Sequence, residues 1–99
     1  MRSFGLLPSA GARNPTIYKV SIPDAGTEVE IILTGETKRL SVVNSSDGVL
    51  RLSFASGESS DGLPVDPFTA FSEDAILYTG NLYVQNTKAA QVVYVVQWV

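Results

Sequence analysis

The stretch that decides the fold is residues 38–54, "KRLSVVNSSDGVLRLSF". Its first half puts Leu40 and Val42 on one side and Arg39 and Ser41 on the other. Its second half alternates in the same way, with Leu50, Leu52 and Phe54 opposed to Val49, Arg51 and Ser53. A period of two belongs to a strand whose two faces meet different surroundings. Between the halves lies "NSSDG", whose Asn, Asp and Gly accept left-handed backbone angles at little cost. The reading is two strands joined as a hairpin.

The same pattern continues outward in both directions. Upstream, "TEVEIIL" (27–33) sets Val29, Ile31 and Leu33 against Glu28 and Glu30, and "TIYKVSI" (16–22) sets Tyr18, Val20 and Ile22 on one face. "PDAG" and "TGET" separate these runs as turns. Downstream, residues 55–67 form the longest polar stretch, read as a loop with a short strand near Leu63–Val65. Residues 68–72 read as a strand, and Pro67 suits its start or a sheet edge. Residues 73–75 are expected to make one helical turn, with strands at 76–79, 81–86 and 91–98 after it. No window supports a 3.6-residue period. Short strands at this spacing predict an all-β, two-sheet antiparallel β-sandwich, with jelly-roll or related Greek-key topology.

Residues 1–15 stand apart. They carry two Gly, two Pro, two Arg and no acid, and they follow no period. They read as an extended N-terminal arm, with residues 16–99 as the β-sandwich domain. Phe4–Leu7 is too short for the core of a secretory signal, and Pro8 breaks it. No stretch approaches the roughly 20 apolar residues of a membrane span, so the chain is expected to be soluble and made without an export signal.

Charge and composition narrow the function. Seven basic against ten acidic side chains give a net charge of −3, which leaves no basic footprint for nucleic acid. There is no cysteine and no histidine. The commonest general base and the thiolate nucleophile are therefore both missing. No Ser–Lys pair sits in a recognisable motif, and no glycine loop is built to cradle phosphate. The acids Glu58, Asp61 and Asp66 share one loop, but "ESSDG" lacks the spacing of a twelve-residue calcium loop. No cofactor or metal is expected. Of the nine aromatic residues, Tyr78 and Tyr83 are the candidates for stacking on a sugar ring.

The last eight residues, "VVYVVQWV" (92–99), break the alternation, for seven of them are apolar. Val92, Tyr94, Val96 and Trp98 share one face, and Val93, Val95, Gln97 and Val99 share the other. One sandwich core can take only one of these faces. The other needs a cover, because an apolar patch of a few hundred Å² marks an interaction site. The expected interface comprises Val93, Val95, Gln97 and Val99 together with Phe4, Leu6 and Leu7 of the arm. The expected partner is a second copy of the chain, in a homo-oligomer with a trimer favoured over a dimer.

Four segments carry a family resemblance: Thr37–Arg39 ("TKR"), Asn44–Arg51 ("NSSDGVLR"), Phe54–Ser59 ("FASGES") and Leu82–Gln85 ("LYVQ"). In this order the chain resembles small virion proteins of tailed bacteriophages, of the capsid decoration (cement) type, over roughly residues 16–99. The resemblance implies a non-enzymatic structural protein on the capsid exterior, made in the cytoplasm of a bacterial host. It implies binding to the major capsid protein lattice, without nucleic acid or membrane. It names no catalytic residue. A tail, baseplate or fibre-attachment subunit, and a carbohydrate- or receptor-binding module, are the alternatives.

Overall fold

The computed structural model describes residues 15–74 and 76–99. Eight strands follow in order: β1 (Pro15–Ile22), β2 (Val29–Ile31), β3 (Arg39–Asn44), β4 (Leu50–Ser53), β5 (Leu63–Val65), β6 (Thr69–Glu73), β7 (Leu82–Asn86) and β8 (Gln91–Trp98). One 3₁₀ turn, Ser59–Asp61, lies between β4 and β5. The strands form two four-stranded sheets, β1-β8-β3-β6 and β2-β7-β4-β5. The pairs β1·β8, β2·β7, β3·β6 and β4·β5 are all antiparallel and nested one inside the next. One long hairpin, doubled on itself and wrapped so that successive pairs alternate between sheets, produces this order. That topology is a jelly roll.

The core is aliphatic throughout. Its thirteen buried residues among those described are Val, Ile and Leu, drawn from both inner faces and the adjoining turns. Val20, Ile22, Leu40, Val42, Leu50, Leu52, Ile31 and Leu33 all point inward, as their alternation requires. Tyr18, Val29, Phe71 and Tyr78 pack against the rim of this cluster.

Each end of the sandwich is closed by a buried amide network instead of more hydrocarbon. At one end Asn44, Ser46 and Asn86 are buried. Asn44 Nδ2 donates to the carbonyls of Gly48 (2.8 Å) and Val65 (2.9 Å), and its Oδ1 accepts from the Ser46 amide (3.1 Å). Asn86 Nδ2 donates to Ser46 Oγ at 2.9 Å. At the other end Gln97 is fully buried. Its Oε1 accepts from the Tyr18 hydroxyl at 2.7 Å, and its Nε2 donates to Thr34 O and Thr37 Oγ1, both at 2.8 Å. Buried amides are tolerable when satisfied in this way.

Several expectations need correction. Residues 38–54 do not form a hairpin: β3 pairs with β6 and β8, whereas β4 pairs with β5 and β7. The "NSSDG" segment is instead a crossing between sheets, because Asn44 turns inward and ties the loop to β5. The actual hairpin is β4–β5, closed by the polar loop that holds the 3₁₀ turn. Residues 76–79 make only an isolated bridge, Thr37 to Tyr78. The helical turn expected at 73–75 is absent from the two of its residues that are described: Glu73 ends β6 and Asp74 is a bend. The strand expected over 27–33 contracts to Val29–Ile31.

Candidate interaction face

The face of β8 is fixed by its neighbours. Directly paired residues of adjacent strands project to the same side of a sheet. Val93 pairs with Val20, Val95 with both Tyr18 and Val42, and Gln97 with Leu40. All of these partners point into the sandwich, so Val93, Val95 and Gln97 do too, each with no exposed surface. The expected interface residues Val93, Val95 and Gln97 are therefore core residues. Val99 is exposed at the end of the strand. Phe4, Leu6 and Leu7 lie outside the described residues.

The opposite side of β8 is the outer face. Val92, Tyr94, Val96 and Trp98 are all half-buried there. Ile17 of β1 stands beside Val96 and is 66% exposed. Val43 of β3 stands beside Tyr94. These six residues form an apolar stripe along β8, flanked by Ile17 on β1 and Val43 on β3, with Lys19 beside Tyr94 and Ser41 beside Val96. Its Trp98 end is held by charge: the Arg39 guanidinium lies 4.9 Å from the Trp98 ring centroid, and Arg39 Nε donates to Asp74 Oδ1 at 3.1 Å. Such a stacked cation pre-orders the indole. The β6 side is polar, with Ser41 and Ser72 hydroxyls 3.1 Å apart. The stripe is thus apolar along β8 and bordered by polar and charged side chains.

Sequence reasoning missed an exposed aromatic residue. Phe68, in the turn after Pro67, is 73% exposed and has φ of +58°. A bulky side chain in the left-handed region is strained. Only the sequence "DPF" hints at it, since proline presets the first corner of a turn whose second corner takes positive φ.

The outer face of the other sheet carries a hydrogen-bond network that ties its strands to the loops. Glu28 reaches across to the 57–59 loop: its carboxylate accepts from Gly57 N (2.9 Å), Ser59 N (3.2 Å) and Ser59 Oγ (2.6 Å). The Ser59 hydroxyl, then the Gly57 amide, hold the Glu28 carboxyl below its ordinary range. Nearby, Glu30 Oε2 accepts from Asn81 Nδ2 (2.9 Å) and the Tyr83 hydroxyl (3.3 Å). Burial, followed by the Glu30 charge, raises the Tyr83 phenol above its usual range. The Tyr78 hydroxyl bonds to Asn81 O (2.7 Å), and its ring meets Phe54 edge-on at 4.9 Å. Of the two sugar-stacking candidates, Tyr78 is therefore committed to tying loops together, and Tyr83 alone lies on an open face.

Among the described residues no three acidic, His or Cys side chains come together as a metal site. Glu58, Asp61 and Asp66 do not converge; the polar loop is gripped from outside by Glu28. Among the described residues no helix is long and apolar enough to cross a membrane. The chain matches no family model, no curated protein and no solved structure in comparisons with each.

Proposed function

We propose that this chain is a non-enzymatic structural subunit of a tailed-bacteriophage particle, a decoration protein that binds the major capsid protein lattice as a homo-oligomer, with a trimer favoured. The observation that carries the proposal is the outward stripe Ile17–Val43–Val92–Tyr94–Val96–Trp98 on a rigid jelly roll. A cement subunit needs a stiff body, a self-association surface and further contacts to neighbouring capsomers. The stripe offers the self-association surface, and the strained Phe68, on the β5–β6 side of the sandwich, offers a separate point of contact. An oligomer engages several lattice positions at once, so modest single contacts add to high avidity. Binding only the assembled lattice then stabilises that state by linkage. The resemblance over residues 16–99 points the same way.

The experiment is the mass of the wild type and of Val96→Asp in solution, with and without empty phage shells. The wild type should be oligomeric and co-sediment with shells. Val96→Asp should keep the fold, because its side chain points outward, and lose the oligomer. Val95→Asp, one residue earlier, should unfold the chain instead. A wild type with the mass of one chain that ignores shells would refute the reading. Electron microscopy of whole particles separates head from tail. A second reading rests on Tyr83, Glu30 and Asn81, an aromatic, a carboxylate and an amide side by side, which is chemistry that suits a sugar. Binding in a glycan array that Tyr83→Ala abolishes would favour it.

A further inference from the structure

The sandwich has four edge strands, and they are not equally guarded. β2 and β5 are three residues long, and β5 holds Pro64. β6 has five residues and follows Pro67. β1 has eight, with no proline after its first residue, and pairs only with β8. A long edge with free N–H and C=O groups is a template for another strand. Beside it, between β1 and β2, runs an open groove of about 260 Å³ lined by Tyr18–Ser21 and Val29–Ile32. Its apolar lining includes Val20, Val29 and Ile31, and Ile32 at its end is 65% exposed. An extended segment with apolar side chains two residues apart would satisfy both features at once. Its backbone would extend sheet β1-β8-β3-β6, and its side chains would fill the groove.

We infer that the occupant is residues 1–14 of a second copy, with Phe4 and Leu6 in the groove. Two observations select this segment. Phe4 and Leu6 have the required spacing. Arg2 and Arg13, with no acid, give residues 1–14 a charge of +2, while the remaining five basic and ten acidic side chains leave −5 on residues 15–99. Glu30 and Lys19 both line the groove, so the attraction is to the acidic body as a whole. The oligomeric reading above places a second copy beside this sheet, and length lets the segment reach it: fourteen extended residues span about 46 Å. This inference rests on the oligomeric reading above and specifies which segment links the copies.

The absence of cysteine from the chain makes the test clean. Leu6→Cys and Ile32→Cys are prepared as separate full-length variants, mixed, and oxidised gently. An interchain disulfide should link the two variants. Leu6→Cys mixed with Ala70→Cys, on the β6 edge, should give none. Deleting residues 1–12 should raise the concentration at which the oligomer half-dissociates by at least about tenfold. Added salt should weaken the wild-type oligomer and have less effect on the deleted form. If the wild type assembles but the disulfide forms only within one chain of a Leu6→Cys/Ile32→Cys double variant, or not at all, arm exchange is refuted while the oligomeric reading survives. If the wild type has the mass of one chain throughout, both fall together.

Discussion

Replacing Gln97 by Ala separates a core role for the inner face of β8 from an interface role. The side chain is fully buried and makes three hydrogen bonds, to Tyr18, Thr34 and Thr37. Thr37 is fully buried as well. Its hydroxyl would lose a partner where no water reaches, at about 2 kcal/mol for an unsatisfied buried polar group. Thr34 and Tyr18 lie closer to solvent and would rehydrate, costing about 0.5 kcal/mol together. The lost methylene adds about 0.8 kcal/mol. The sum is ~3 kcal/mol, a large share of the 5–15 kcal/mol that holds a domain of this size together. Urea unfolding followed by the single Trp98 reads the effect from the same strand. With a slope of about 1.5 kcal/mol per molar urea, the midpoint should fall by roughly 2 M. Gln97→Glu sharpens the test. Its carboxylate would face Thr34 O with no proton to donate, and burial would raise its pKa. The destabilisation should be smallest in acid, growing as pH rises from the unfolded carboxyl pKa of about 4.3 toward the folded one. A Gln97→Ala protein whose midpoint is unchanged but whose oligomer is lost would refute the inward assignment.

Gly48→Ala should cost about 2–3 kcal/mol in the same assay, because a Cβ there collides with Asn86 Oδ1 and lies 2.9 Å from Thr87 Oγ1, overpacking the network that closes one end of the sandwich. Phe68→Gly should stabilise the monomer by ~0.5–1 kcal/mol by relieving its positive φ, while weakening attachment to shells. The Glu28 carboxyl is held below its ordinary range, so its grip on the loop is complete above that range and is lost as pH falls through its lowered value. Protection of the Gly57 and Ser59 amides, measured against their intrinsic exchange rates, should fall on acidification, and Glu28→Gln should show the low protection already at neutral pH; equal protection in both proteins would mean that the carboxylate does not hold the loop.

Alternation in β1, β3 and β4 determined, from the chain alone, that the protein is all-β and which side of those strands is dry. Leu40, Val42, Leu50 and Leu52 each have polar neighbours, so only one face of their strands can go inside. Proline and glycine marked most turns, and Pro67 marked an edge. Residues 38–54 show where that logic stops. Two adjacent alternating runs look like a hairpin, but β4 pairs forward instead, with β5 across the polar loop and with β7 about thirty residues on, while β3 pairs with β6 and β8 in the other sheet. Pairing is a property of distant segments, and the inward turn of Asn44 is visible only once β5 is beside it.

The closing strand marks the same boundary. Its sequence announces that both faces are apolar and that one must be covered, but with no polar alternation it carries no information on which one. Register decides: Val20, Val42 and Leu40 draw Val93, Val95 and Gln97 inward, and Tyr94, Val96 and Trp98 are left outside. A glutamine looks like a surface residue until Tyr18, Thr34 and Thr37 are seen to meet all of its polar atoms. Local chemistry settles which backbone a segment prefers; only the meeting of strands far apart in the chain settles which of two equally greasy faces is buried.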